Sequence, residues 1–189
     1  MIIGITGGTG CGKTTALDVI RELGGLVLDC DEIYHELLRT DQELLRSIEE
    51  RFPGSVENGV LLRKKLGAQV FSDPAALADL NRITHGAVKG EGCRRLESKP
   101  ALTAIDAIAL FESGLDDLCD TTVAITAPRE DRIQRLMARE GIDRAYAEKR
   151  IDAQPSGEYF SRLCRHTLTN DRDKETFCRK CLQFFRSIV

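Results

Sequence analysis

The sequence predicts a three-layer α/β/α fold built on a five-stranded parallel sheet. Two observations carry that prediction. Short, nearly continuous apolar runs alternate with longer segments of helical periodicity, the pattern of strands covered on both faces by crossover helices. The first such run, Ile2–Thr6, leads through a glycine-rich turn directly into a helix, as at the start of a βαβ unit.

The elements follow in chain order. Ile2–Thr6 is a buried strand, ended by glycines. Lys13–Leu23 reads as a helix with Ala16, Leu17, Val19, Ile20 and Leu23 on its apolar face, stopped by Gly24-Gly25. Leu26–Leu28 is a second strand, followed at once by Asp29-Cys30-Asp31. Residues 31–98 read as mainly helical, broken near Phe52-Pro53-Gly54 and at Asn58-Gly59. Leu102–Leu110, apolar except for Thr103 and Asp106, is a third strand, and Thr121–Thr126 a fourth. Helices are expected at Arg129–Glu140 and Asp143–Ala153, a fifth strand at Leu163–Thr169 and a closing helix at Lys174–Ile188. The expected organisation is one domain: a core of 1–30, 102–130 and 163–189, a helical insertion at about 31–98 able to shape a substrate pocket, and a small helical lid at about 135–155.

Composition excludes several classes of function. Lys and Arg total 27 against 30 Asp and Glu, and the two signs are mixed, so there is no basic stripe for nucleic acid. Three Tyr, seven Phe and no Trp leave few base-stacking platforms. The N-terminal apolar run is too short for a signal peptide, and no stretch reaches membrane-spanning length. A cytoplasmic protein without membrane or nucleic-acid partners is expected, a monomer with at most weak self-association. The seven cysteines are odd in number and scattered, which argues against a disulfide framework. Cys178 and Cys181 form a lone CxxC without the second pair a zinc site needs, and read as two thiols on one helix face.

The chemistry is carried by Gly7-Gly8-Thr9-Gly10-Cys11-Gly12-Lys13-Thr14, a match to G-x-x-x-x-G-K-[ST] between a strand and a helix. Glycines let the loop curl so that backbone N–H groups converge on phosphate oxygens, and the following helix adds its positive end. Gly8, Thr9, Gly10, Cys11, Gly12, Lys13 and Thr14 are therefore candidate phosphate-binding residues in a P-loop NTPase fold, with Cys11 acting through its backbone. In this chemistry the Lys13 ammonium reaches the β- and γ-phosphates and the Thr14 hydroxyl ligates Mg²⁺. Asp106, an acid in a buried strand, is a second candidate Mg²⁺ group, or else faces the sheet edge or pairs with a core hydroxyl.

Asp29 and Asp31 fall where the second strand ends, the edge at which open α/β sheets bind ligands. One of these carboxylates can accept a hydroxyl proton or orient a nucleophile, although Asp31 could instead cap the helix beginning at Glu32. Arg132, Arg135 and Arg139 recur along one helix face, with Arg135 and Arg139 the candidates to neutralise a transferring phosphoryl group. Asp131–Arg135 and Glu140–Arg144 also have the spacing of ordinary ion pairs. His35 and His85 show no metal-ligand spacing.

Over nearly its full length the chain resembles the dephospho-CoA kinase family. The resemblance lies in Gly4 to Thr15, in Asp29-Cys30-Asp31 with His35 after it, in Gly59 to Arg63 with Leu66 and Val70-Phe71, in Leu80 to His85, and in Leu110 to Leu115 around Glu112. Arg135, Arg139, Arg150 and Gln154 resemble the family's lid residues, and Asn170 matches an Asn near its end. Gly86, Ile108 and Arg165 depart from the family's pattern. The resemblance implies transfer of the γ-phosphoryl group of ATP, with Mg²⁺, to the ribose 3′-hydroxyl of dephospho-CoA entering between core and insertion. It implies Lys13, Asp31, Arg135 and Arg139 as catalytic residues, Thr15 and Asn170 on the nucleotide, and Asp29, Asp31, His35, Arg63, His85 and Glu112 on the acceptor. Two rivals stay open: a small P-loop kinase acting on a nucleoside monophosphate or sugar-like metabolite, and a GTPase-like switch. The latter would need a guanine-reading N-K-x-D, which Asn170-Asp171-Arg172-Asp173 does not supply.

Overall fold

The computed structural model describes residues 1–97 and 101–189. Its chain forms two compact units, Met1–Leu28 with Lys99–Val189, and Asp29–Ser98. The expected end of the insertion at residue 98 falls outside the described residues.

The first unit carries a five-stranded sheet in the order β2-β5-β1-β6-β7. Its strands are β1 (Ile2–Thr6), β2 (Leu26–Asp29), β5 (Thr103–Asp106), β6 (Thr121–Thr126) and β7 (His166–Thr169). The β1 strand is central, paired in parallel with β5 from Ile2↔Thr103 to Ile5↔Asp106 and with β6 from Ile3↔Thr121 to Thr6↔Ala124. A strand enclosed in this way has no solvated face, which is why Ile2–Thr6 reads as a continuous apolar run. Helices α1 (Lys13–Glu22) and α9 (Lys174–Ile188) cover one face, where Ile3, Ile5, Leu17, Ile20, Val123, Ile125, Phe177 and Phe185 form the core. Cys181 belongs to this core and is fully buried, and Cys178, partly buried, packs against the same cluster. Gly4 faces the other way, where a Cβ would lie 2.8 Å from Leu110 and 2.9 Å from the Cys119 sulfur. Helices α6 (Arg129–Glu140), α7 (Arg144–Asp152) and α8 (Gly157–Leu163) complete the unit. Ile133 and Leu136 of α6 pack on Ala147 and Ile151 of α7.

The second unit contains α2 (Cys30–Thr40), α3 (Gln42–Arg51), the hairpin β3 (Val56–Glu57) and β4 (Val60–Leu61), then α4 (Arg63–Val70) and α5 (Pro74–Leu96). Asp29, Asp41 and Asp73 cap α2, α3 and α5 with their carboxylates.

Two sequence expectations are corrected and a third is sharpened. The third strand ends at Asp106 rather than Leu110, because the chain turns there: Ser113 donates to the Ala109 carbonyl at 3.0 Å and Leu115 to that of Leu110 at 3.1 Å. Leu110 is fully buried, and an apolar run alone does not distinguish a strand from a buried turn. The fifth strand starts at His166, since Leu163 closes α8, a helix capped by the Ser156 hydroxyl. The break at Asn58-Gly59 is a hairpin turn, with φ of 51° and 73° at its two centres. Such a turn matches the twist of the paired strands.

Candidate active site

The loop between β1 and α1 walls a cavity of about 390 Å³ lined by Gly8, Thr9, Gly10, Gly12, Lys13, Thr14, Thr15, Asp18, Asp106, Arg135, Arg139 and Lys174. Tertiary folding thus brings together P-loop, strand-end acid and α6 arginines from three separate stretches of sequence. Asp18 and Lys174 are additions that sequence reasoning did not single out.

The local geometry follows from the glycines. Gly7, Gly10 and Gly12 have φ of 144°, 77° and 99°, a region that costs other residues steric strain. Gly7 also passes so close to β6 that a Cβ would lie 2.2 Å from the Ile125 carbonyl oxygen. Helix α1 starts after Gly12 without a side-chain cap, in contrast to the Asp and Ser caps of α2, α3, α5, α7, α8 and α9. An uncapped first turn keeps N–H groups available for an anion.

Side chains hold the outward carbonyls of the loop. Lys13 Nζ donates to Gly7 O at 2.9 Å, Arg132 Nε to Thr9 O at 2.8 Å, Arg135 Nη1 to Gly10 O at 3.3 Å, and Asn170 Nδ2 to Cys11 O at 3.0 Å. Arg135 also donates to the Asn170 carbonyl and carboxamide oxygens at 3.3 and 3.2 Å. Arg132, only 5% exposed, lies behind the loop. Its position on the same helix face as Arg135 and Arg139 was the available signal, but not that it would be buried. Arg139 pairs with Glu140, as does Arg150. Burial pushes the Cys11 thiol pKa up, while Arg132 and Lys13 pull the other way with less effect, which disfavours the thiolate.

Asp106 and Thr14 line the same cavity. A carboxylate and a hydroxyl are hard oxygen donors of the kind Mg²⁺ takes alongside phosphate oxygens, so the residues present fit that ion.

The remaining predicted residues are placed as follows. Asp29 is the cap of α2, accepting from Asp31 N at 2.9 Å and Glu32 N at 3.1 Å. The capping role considered for Asp31 therefore belongs to Asp29, because the helix begins at Cys30; the Asp31 side chain is exposed in the first turn. Arg63 Nη2 lies 3.4 Å from His35 Nδ1, which brings two predicted acceptor residues together. His85 is half-buried on α5. Beside Arg63, the second unit has an apolar groove lined by Tyr34, Leu38, Leu66, Val70 and Phe71. Burial pushes the Tyr34 hydroxyl pKa up against the opposing pull of Arg63. Glu112 is exposed, in the first unit, and its carboxylate accepts from Tyr159 OH at 2.7 Å. It is not among the residues lining the P-loop cavity.

The family model for dephospho-CoA kinase, CoaE, matches residues 1–175. The dephospho-CoA kinase of Syntrophotalea carbinolica is 36% identical over 169 residues, spanning 86% of this chain and 80% of that protein. That of Streptococcus pyogenes serotype M3 is 32% identical over 185 residues, spanning 95% and 94%. Among solved structures, TT1252 from Thermus thermophilus superposes with a TM-score of 0.81 at 31% identity, covering 100% of this chain and 98% of that one. Shikimate kinase from Bacteroides thetaiotaomicron, at 15% identity and a TM-score of 0.57 over 98% of each chain, shares the fold.

Proposed function

The chain belongs to the dephospho-CoA kinase family, and from that premise we propose that it transfers the γ-phosphoryl group of ATP to the ribose 3′-hydroxyl of dephospho-CoA. The products are coenzyme A and ADP, the last step of coenzyme A biosynthesis. The observation that carries the reading is the glycine-lined cavity that gathers Lys13, Arg135 and Arg139. Cations gathered around one glycine-rich loop, Lys174 among them, suit a reaction whose transition state spreads charge over the transferred phosphoryl oxygens.

Lys13 and the loop amides bind and orient the β- and γ-phosphates; Arg135 and Arg139 neutralise charge that develops on the transferring group. Thr14 and Asp106 would hold Mg²⁺, which supplies charge neutralisation at the phosphates. Asp31 accepts the proton of the attacking hydroxyl. As that oxygen bonds to the γ-phosphorus, the bond to the β–γ bridging oxygen breaks and ADP leaves with the electron pair. Asp29, His35, Arg63, His85 and Glu112 are assigned to the acceptor, and Asn170 to the nucleotide, its carboxamide also holding the Cys11 carbonyl of the loop. No helix among the described residues is long and apolar enough to cross a membrane, and a monomeric cytoplasmic enzyme is the accompanying reading.

The test is incubation of the purified protein with ATP, Mg²⁺ and either dephospho-CoA or a panel of nucleoside monophosphates and sugars. Coenzyme A and ADP should appear in equal amounts. Phosphorylation of a monophosphate or sugar but not of dephospho-CoA would replace this reading with the sibling kinase activity.

A further inference from the structure

The Thr9 backbone is held at both its N–H and its carbonyl by side chains that belong to neither the loop nor its helix. Arg132 Nε donates to the Thr9 carbonyl at 2.8 Å, and the Thr9 N–H donates to Gln154 Oε1 at 2.7 Å. The two clamping groups also meet, with Arg132 Nη2 at 3.5 Å from the same Gln154 oxygen. Gly8 leaves the room they need: a Cβ there would come 2.5 Å from Arg132 Nη2 and 3.2 Å from Gln154 Oε1. Neither Arg132 nor Gln154 lines the P-loop cavity, whereas Gly8, Thr9 and Gly10 do. Gln154 itself follows the end of α7, its N–H bonded to the Ile151 carbonyl at 3.1 Å.

We propose that Gln154 is a positioning residue for phosphoryl transfer, acting through the Thr9 backbone. Its carboxamide oxygen fixes the tip of the phosphate loop from behind and ties it to the C-terminal end of α7. This deepens the kinase reading and rests on it, since the loop is taken as the ATP site. A loop fixed before nucleotide arrives loses less conformational freedom on binding and presents its remaining amides already aimed. The role belongs to the oxygen as acceptor, not to the volume of the side chain.

Gln154→Ala, Gln154→Met and Gln154→Glu separate these contributions. Met keeps the shape without a comparable acceptor; Glu keeps the acceptor and can pair with Arg132. The measurements are Mg²⁺–ATP affinity by calorimetry without any acceptor substrate, and hydrogen exchange at the Thr9 amide by NMR. Loss of one such hydrogen bond should weaken ATP binding by about 5–10-fold. Ala and Met should both show this loss with faster Thr9 exchange, and Glu should restore protection and most of the affinity. Rescue by Met rather than Glu, or unchanged affinity and protection in Gln154→Ala, would overturn the proposal. Because neither readout involves the acceptor, a wrong acceptor assignment leaves this result standing.

Discussion

The buried carboxamide of Asn170 donates to the Cys11 carbonyl at 3.0 Å, joining the end of β7 to the middle of the phosphate loop. Its oxygen accepts from Arg135 at 3.2 Å, so one residue links the loop to an α6 cation. Asn170 is itself fixed by its backbone N–H, which donates to Thr126 O at 2.8 Å.

Replacing Asn170 by Ala should therefore cost about 1–3 kcal/mol of stability, because a buried carbonyl and part of a guanidinium lose their partner. Urea denaturation measures it. ATP affinity should fall as well, since Gly12, where a Cβ would sit 2.3 Å from Asn170 Nδ2, loses its neighbour.

Lys13→Ala should lower turnover by roughly 100-fold or more, the scale set by removing one preorganised group that stabilises transition-state charge. Thermal stability should change little, because the fold loses the bond from Nζ to Gly7 O and keeps the other ties on the loop. Steady-state kinetics with a melting curve on the same sample separates the two effects.

Asp31→Asn should reduce kcat by about 10²–10⁴-fold if the carboxylate is the general base, and leave ATP affinity unchanged. Asp29→Asn is the comparison. It keeps an oxygen that can cap α2, whereas Asp29→Ala should cost about 1 kcal/mol of stability through the lost cap. Normal turnover in Asp31→Asn removes that residue from the mechanism.

Gly7→Ala and Gly24→Ala both place a Cβ at positive φ, 144° and 79°. At Gly24 nothing lies within 4 Å, so the cost should be only the backbone term, about 1–2 kcal/mol. At Gly7 the new atom meets the Ile125 carbonyl oxygen at 2.2 Å, and the loss should exceed that of Gly24→Ala by at least about 1 kcal/mol. Equal losses by chemical denaturation would contradict the close approach of loop and strand.

Glu91 of α5 is held by Arg94 and Arg95, which lower its pKa from an ordinary 4.5 to about 2, the bond from Arg94 contributing most. A carboxylate with a depressed folded-state pKa stabilises the fold fully above its unfolded value and loses that contribution as pH falls through the folded one. The window is thus pH 4.5 down to about 2. Glu91→Gln should be less stable than the parent at pH 7, and the difference should shrink across that window. A constant difference would show that Glu91 does not titrate with these arginines.

Local pattern made much of this protein legible. Residues 7–14 name their own geometry, because glycine spacing and the adjoining strand and helix are contiguous in sequence. Helix α6 was readable from periodicity to its last residue. What failed was what contiguity does not encode. Apolarity alone stops being a guide after Asp106: the stretch from Ala107 to Leu110 is as apolar as the strand, yet it turns to bury Leu110. Gln42 to Leu62 hid a short hairpin among helices because its strands span two residues each.

The phosphate loop, the five strands with most of their helices and the family are written in the linear chain, since each rests on residues close together or on a pattern carried along its length; the short helix α8 is not. The fates of Arg132, Arg135 and Arg139 were settled by packing. One helix face presents all three, but the loop packs over Arg132 and buries it, while Arg135 and Arg139 line the cavity. The cap of α2, by contrast, is local: Asp29 rather than Asp31 fills it because the helix begins at Cys30. Periodicity sets which side of an element a residue occupies; what that side meets depends on segments more than a hundred residues away, as in the 123-residue separation of Arg132 and Thr9.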